Sequence, residues 1–190
     1  MPLNTVPKSS SILIPSALLL LFSLPTQAEE FRGHRFGAGY SNSEIQVGDT
    51  EQSWGEGLKY EYGYDFNKLV GFNFSYEYNE AHDMFEGLGV DVEGRTFKSS
   101  LDFGYTFVFE YLAIKPYALL GAAYMKNRQD FHTVQGVHTF KHEETSFNYG
   151  GGVRLQMRNG IYSDLRFDVQ EQYDIRQFSW TLGYRFNELL

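Results

Sequence analysis

Residues 177–186, close to the C-terminus, alternate strictly between large apolar side chains and small or polar ones. Successive side chains of a β-strand point to opposite faces, so this pattern predicts a strand with one apolar face and one polar face. A fold built from such strands has to cover its apolar faces, either with lipid or inside a soluble barrel. The apolar positions are Phe178, Trp180, Leu182, Tyr184 and Phe186, separated by Ser179, Thr181, Gly183 and Arg185.

The first 28 residues have the layout of a secretory signal peptide. Lys8 is the only charged residue there, residues 12–22 are mostly apolar, and the small residues Thr26 and Ala28 follow. The apolar stretch is short for a membrane span of about 20 residues. We therefore expect a signal peptide over residues 1–28, cleaved after Ala28, and a mature chain of residues 29–190 that forms one domain.

The composition favours a closed sheet. The chain has no cysteine, so a secreted domain of this kind must be stabilised by something other than disulfides. A closed barrel in a bilayer pairs every backbone group around its ring. With 17 Phe and 14 Tyr against 5 Pro, the chain favours strands. The mean hydropathy of −0.38 is compatible with this, because barrel strands present only alternate residues to lipid.

The same alternation recurs along the chain and predicts an all-β fold, an eight-stranded antiparallel up-and-down transmembrane β-barrel. In the fifth strand either Ala118, Leu120, Ala122 and Tyr124 or the opposite phase could face outward. Pro116 cannot donate to a ladder, so we expect it near a strand end or at a bulge. The strands are predicted at about residues 32–41, 54–64, 70–78, 97–107, 112–126, 147–157, 161–169 and 177–186.

The polar faces of these strands carry six basic and five acidic residues. An interior of eight strands is just wide enough for side chains to fill. Ion pairs such as Lys98 with Glu77 or Asp102 would block this lumen, and a narrow pore is the alternative. The predicted lumen charge network comprises Arg35, Lys59, Glu61, Glu77, Lys98, Asp102, Arg154, Asp164, Arg166, Asp168 and Arg185.

The connections alternate in length. Short ones are predicted near residues 65–68, 109–111 and 158–160, the last with the Asn-Gly pair that favours hairpins. Long ones are predicted at about residues 42–53, 79–93 and 127–144, with a shorter one at 171–176. In outer-membrane barrels the short turns are periplasmic, which places both termini of an even-stranded barrel in the periplasm. A soluble lipocalin-like barrel shares the period, but the balanced charges on the polar faces and the unequal connections favour the membrane barrel.

The four longer connections are acidic. They contain 13 acidic and 3 basic residues, a net charge of −10 against −8 for the whole chain. This balance disfavours nucleic acid and heparin-like polyanions as partners and permits basic protein patches or divalent cations.

The histidines do not indicate an enzyme. A lipid A deacylase of the barrel type would need a His, a Ser and an acid together at the outer lipid-facing surface. The sequence shows no His-x-Ser pair on a strand face, and we expect no catalytic residue and no cofactor. The pair His138 and His142 could bind a metal, although solvated loop histidines are the simpler interpretation. The histidines are His34, His82, His132, His138 and His142, of which all but His34 fall in predicted long loops.

Four stretches carry a resemblance to a known family: residues 57–62, 117–124, 147–153 and 181–186. They read GLKYEY, YALLGAAY, FNYGGGV and TLGYRF, and with them the chain resembles the small outer-membrane barrels of the Ail/OmpX/Lom type, within the OmpA-like barrel group. Members of that family usually stop at the terminal Phe, whereas four more residues follow Phe186 here.

The resemblance implies an outer-membrane protein of a Gram-negative bacterium, surrounded by lipid and lipopolysaccharide. A closed eight-stranded barrel is by default a monomer, so we expect a monomer. It implies that the insertion machinery reads the terminal strand with Phe178, Trp180, Leu182, Tyr184 and Phe186, after transport by periplasmic chaperones. It also implies a role in adhesion, host or surface protein binding through the loops, or envelope integrity. A lipid A-modifying enzyme and a narrow pore are the alternatives, and no loop motif identifies a partner.

Overall fold

A computed structural model of the protein describes residues 31–47, 50–85, 88–133, 136–171 and 175–187. The predicted signal peptide lies outside these residues. Within them there is no helix with the length and apolar character needed to cross a membrane. The strands are β1 (Gly33–Val47), β2 (Thr50–Asp65), β3 (Val70–Phe85), β4 (Leu88–Gly104), β5 (Phe107–Val108), β6 (Leu112–Thr133), β7 (Gly136–Met157), β8 (Ile161–Gln170) and β9 (Ile175–Asn187).

The strands close into a barrel. Each long strand pairs antiparallel with its neighbours in the chain, β4 pairs with β6, and β9 returns to pair with β1. The two-residue β5 pairs only with the start of β6 and stands outside the ring. The described ring therefore has eight strands, and the predicted fold class is confirmed.

The polar and apolar faces are separated as the alternation predicts. On β9 the side chains of Phe178 and Trp180 are 51% and 45% exposed, whereas Ser179 and Thr181 between them are buried. A soluble lipocalin-like barrel would need its apolar face inside. That alternative is wrong for this chain, because the apolar face is outside.

The phase of the fifth predicted strand follows from burial on β6. Leu120 is half exposed and Leu119 is buried, so the phase that includes Ala118 and Leu120 faces outward. The ladder between β4 and β6 ends beside Pro116, because its neighbour Tyr117 forms the last pair of that ladder, with Gly104. Val70 has the phase of the apolar face of the third predicted strand, which predicts that it faces lipid. This prediction was wrong, because Val70 is buried where β3 leaves the turn.

The short connections lie at one end of the barrel, with Phe31 and Asn187; we call this the turn end. The turn before β8 contains Gly160, whose φ of +91° lies in the left-handed region that favours glycine. The N–H of Gly160 donates to the carbonyl oxygen of Met157 at 3.0 Å and closes this turn.

At the opposite end, the hairpin end, the prediction of long loops was wrong. Three of the four connections continue as paired strands, with ladders that reach Val47–Thr50, Phe85–Leu88 and Thr133–Gly136. Ladder hydrogen bonds satisfy the backbone whatever the side chains are. The alternation of apolar residues stops where lipid contact stops, so it did not reveal these extensions.

Candidate functional site

The lumen is lined by buried charges. In the part of the chain that the structure describes, seven basic and six acidic side chains inside the barrel are less than a tenth exposed. They include all eleven residues of the predicted lumen network. The thirteen are Arg35, Lys59, Glu61, Asp65, Glu77, Lys98, Asp102, Lys115, Arg154, Asp164, Arg166, Asp168 and Arg185.

Toward the turn end, two carboxylates face four cations, the fourth being Arg185, whose Nε lies 3.7 Å from Asp65. Asp102 lies 2.5 Å from Lys115 Nζ, 3.1 Å from Arg154 Nη2 and 3.7 Å from Arg35 Nη2. Asp65 lies 3.0 Å from Arg35 Nε and 3.4 Å from Arg154 Nη1. Each buried cation therefore faces a carboxylate, which offsets the cost of removing both from water.

A second group lies deeper in the barrel. Arg166 Nη2 is 2.8 Å from Glu61 Oε2, and Lys59 Nζ is 3.2 Å from the same oxygen. The Tyr117 hydroxyl donates to Asp164 at 2.6 Å and accepts from Arg166 Nε at 3.1 Å. These contacts join β2, β6 and β8 across the lumen.

Lys98 forms the third group, toward the hairpin end. Its Nζ lies 2.7 Å from Asp168 and 3.2 Å from Glu77, and it donates to the side chain of Gln177. The prediction that Asp102 could be the ion-pair partner of Lys98 was wrong. Lys98 and Asp102 are four residues apart on one strand, about 13 Å, so they belong to different levels of the lumen.

Sequence reasoning missed two members of the network. Lys115 belongs to β6, whose phase the sequence left open, although it shares the inward phase of Tyr117. Asp65 was assigned to a turn, whereas it is the last residue of β2 and continues the inward series of Lys59 and Glu61. Both residues would have been identified by continuing the series of alternate, inward-facing positions to the end of each strand.

Little space remains near the turn end. A cavity of about 10 Å³ is bordered by Asp65, Lys115, Arg154 and Arg185. A cavity needs about 10–15 Å³ to hold one water, so this space is at the limit for a single molecule. The charges thus fill this part of the lumen.

Above the barrel stands a four-stranded sheet, which we call the hairpin sheet: residues 79–85 of β3, 88–94 of β4, 127–133 of β6 and 136–147 of β7. Its internal ladders run from Phe85–Leu88 through Gly89–His132 to Thr133–Gly136. The β7–β8 ladder begins only at Asn148–Gln170. In the described ladders, residues 136–146 of β7 therefore pair on one side alone and form an open sheet edge.

The β6–β7 part of this sheet carries mixed charge. Lys126 Nζ lies 3.1 Å from Glu143, and the Tyr124 hydroxyl donates to Glu143 at 2.8 Å. The Tyr124 hydrogen bond, followed by Lys126, lowers the pKa of Glu143. Arg128 pairs with Asp130 at 3.0 Å. The predicted loop acidity is thus locally balanced on this hairpin.

The histidines lie on strands. His34, on β1, has its Nδ1 3.0 Å from the Tyr62 hydroxyl, and His142, on β7, has its Nε2 2.9 Å from Glu144. Neither of these contacts is with a serine. Among the described residues, no group of three or more His, Asp or Glu side chains is placed to hold a metal ion. His138 and His142 lie on a strand, which corrects their assignment to a loop.

The terminal strand β9 closes the ring between β1 and β8. Its five large apolar residues all point outward and are 44–51% exposed. The Trp180 indole donates to the Ser163 hydroxyl at 2.9 Å, which ties β9 to β8 on the outer face. Phe186 packs against Tyr184 with a ring distance of 4.8 Å.

Sequence comparison decides the family. The profile of the family described as outer membrane protein beta-barrel domain matches residues 14–186. The chain belongs to this family. The predicted resemblance to small outer-membrane barrels is thereby confirmed, and no curated protein matches the chain in sequence.

Two solved structures share the fold of this outer-membrane barrel. Ail, the attachment invasion locus protein of Yersinia pestis, in complex with the heparin analogue sucrose octasulfate, is 22% identical, with a TM-score of 0.59 over 82% of this chain and 99% of that chain. The N-terminal β-barrel domain of Pseudomonas aeruginosa OprF is 16% identical, with a TM-score of 0.52 over 82% and 97%.

In an outer-membrane barrel the exposed apolar band faces lipid. The exposed aromatic side chains of this barrel, such as Phe36, Tyr60 and Phe167, provide that band. The buried charges lie in the lumen, inside the ring of strands that carries this band.

Proposed function

We propose that this protein is a non-enzymatic outer-membrane barrel of a Gram-negative bacterium that presents its hairpin end to the outside for contact with other proteins. Cleavage after Ala28 and periplasmic termini follow from the predicted signal peptide and the short turns. The closed ring of eight strands supports a monomer, because no sheet edge is left open within the membrane. Phe178, Trp180, Leu182, Tyr184 and Phe186 are proposed as the strand that the insertion machinery reads.

The open edge of β7 carries this proposal. A sheet edge with unpaired N–H and C=O groups can accept an extended segment of another protein as an added strand. The Phe147 carbonyl points to the β8 side, where it accepts from the N–H of Glu171 at 3.1 Å. Residues of the same parity, such as Lys141 and Glu143, therefore turn their backbone groups to the open side.

The charge of the hairpin end points to the chemistry of the partner. The β6–β7 connection, residues 127–144, contributes only −1 to the net −10 of the four connections. The other three connections carry the rest of this acidic charge, which favours a protein with a basic surface beside its extended segment. Ail was solved with a heparin analogue. For this chain, we propose that sulfated polyanions are not ligands of the hairpin end, because its charge would repel them.

The buried charges also favour a barrel that does not conduct ions. Thirteen charged side chains fill the described lumen, and paired charges of this kind plug an eight-stranded interior. Planar-bilayer recordings should therefore show no discrete steps, and regular single-channel steps would favour the narrow pore instead. Release of a fatty acid from purified outer membranes would favour the lipid A enzyme.

Adhesion of bacteria that express the full chain tests the proposal. We expect adhesion to host cells above that of cells without the protein, and its loss when the β6–β7 hairpin is shortened. Lys141→Pro removes one backbone donor at the open edge and should also abolish adhesion. Lys141→Ala, the matched control, removes the same charge and keeps the donor, so adhesion should persist. Equal adhesion with and without the protein would favour an architectural role in the envelope.

A further inference from the structure

The lipid-facing wall of β1, β2, β3 and β9 contains a groove of about 640 Å³. Ala38 lies at its centre, and its cross-strand neighbours are the bulky Tyr60 on β2 and Leu182 on β9. The small side chain between large ones leaves the depression. Large side chains on its walls also include Phe36, Tyr62, Phe74, Tyr76 and Tyr184.

A second outward-facing alanine provides a comparison for this groove. Ala122 also faces outward, on β6, but its cross-strand neighbours are Ser99 and Phe147, so a small residue stands on one side. The walls around Ala38 are aromatic or branched on both sides. Flexible, apolar and narrow molecules fit such a groove, and in a membrane these are acyl chains.

A polar group lies at the turn-end mouth of this groove. His34 is on the same face of β1 as Phe36 and Ala38, two residues or about 7 Å below Phe36. The Tyr62 hydroxyl holds its Nδ1 at 3.0 Å, and the Tyr64 ring packs on it at 4.9 Å. In the tautomer in which Nδ1 accepts from the Tyr62 hydroxyl, Nε2 carries the ring proton and can donate to a phosphate.

We propose that this groove binds one phospholipid, with an acyl chain along Ala38 and the phosphate at His34. The choice of a phospholipid over lipid A rests on the orientation proposed above, which puts His34 in the inner leaflet. The site itself does not depend on adhesion through the hairpin sheet. Different experiments therefore test the lipid site and the adhesion role, and either one can fail without the other.

Native mass spectrometry of the folded barrel tests this site. The mature chain is reconstituted in vesicles of phosphatidylethanolamine and phosphatidylglycerol, extracted in mild detergent, and weighed. We expect one retained phospholipid on the wild type and about tenfold less on Ala38→Phe. Ala122→Phe, a matched change on the flatter wall, should retain the lipid. His34→Phe, which keeps the ring and loses the donor, should reduce retention.

Heat-dependent gel mobility checks that each variant is folded, and Ala38→Leu replaces Ala38→Phe if the larger side chain prevents folding. Equal retention by the wild type and the Ala38 variant, or equal loss in the Ala122 variant, would overturn the site. Unchanged retention by His34→Phe would overturn the placement of the phosphate. When purified lipopolysaccharide is added to the vesicles, retention of lipid A instead of phospholipid would overturn the choice of ligand.

Discussion

The hydroxyl of Tyr117 donates to Asp164 Oδ1 at 2.6 Å in the interior of the barrel. The same ring lies against Gly152 on β7, where an added Cβ would be 2.5 Å from the Leu165 carbonyl oxygen and 2.6 Å from the Tyr117 oxygen. The Arg154 guanidinium stands 5.0 Å from the centre of the ring. A tyrosine thus fits into space left by a glycine and anchors the surrounding charges.

Gly152→Ala should press on the Leu165 carbonyl, displace Tyr117 and weaken the bond of Tyr117 to Asp164, with a cost of about 1–3 kcal/mol in unfolding free energy. Gly151→Ala, one residue away on the outer face, is the control. Its Cβ would meet a single backbone oxygen at 3.0 Å, so the loss should be smaller. Urea unfolding of the barrel in lipid vesicles measures both, and equal losses would contradict the packing of Tyr117 on Gly152.

Asp102→Asn should destabilise the barrel by about 3–5 kcal/mol, because it removes the charge that faces Lys115, Arg154 and Arg35. The exposed pair of Arg128 with Asp130 provides the comparison, and Asp130→Asn should cost less than about 1 kcal/mol. The same urea titration reads both variants. A cost for Asp102→Asn as small as that for Asp130→Asn would show that the lumen charges do not stabilise the barrel.

The alternation of apolar residues predicted the barrel because Trp180 and Ser179 must face lipid and lumen respectively. It could not identify ion-pair partners, since Lys98 meets Asp168 across the lumen through the closure of the ring. At the hairpin end, the alternation of apolar residues also stops before the strands themselves end. Residues such as Asn127 and His142 pair through their backbones there, and no apolar period marks that strand.

Glu143 should titrate below an ordinary glutamate. The Tyr124 hydrogen bond and Lys126 lower its pKa, so its contribution to the fold is present at neutral pH and is lost as the pH falls through that lowered pKa. Carbon-detected NMR of the Glu143 carboxyl in nanodiscs measures the midpoint. Tyr124→Phe should move the midpoint up, and an unchanged midpoint would contradict the role of this hydrogen bond.

Phe186→Ala should lower the amount of barrel assembled in the outer membrane of cells, because it removes the last aromatic residue of the proposed insertion strand. The side chain is half exposed on the lipid face, so purified variant protein should keep most of its stability in detergent. Removal of residues 187–190 should leave assembly unchanged. Assembly that falls after this truncation and not after Phe186→Ala would move the insertion signal to the last four residues.

Amide hydrogen exchange along β7, with the mature barrel in nanodiscs, most directly tests the open edge on which the proposed function depends. Amides that face the open side should exchange quickly, and those that bond to β6 should exchange slowly, so that protection alternates residue by residue. The fast set is Thr139, Lys141, Glu143 and Thr145, and the slow set is Phe140, His142 and Glu144. Equal protection of both sets would mean that the edge is already covered and would contradict the account.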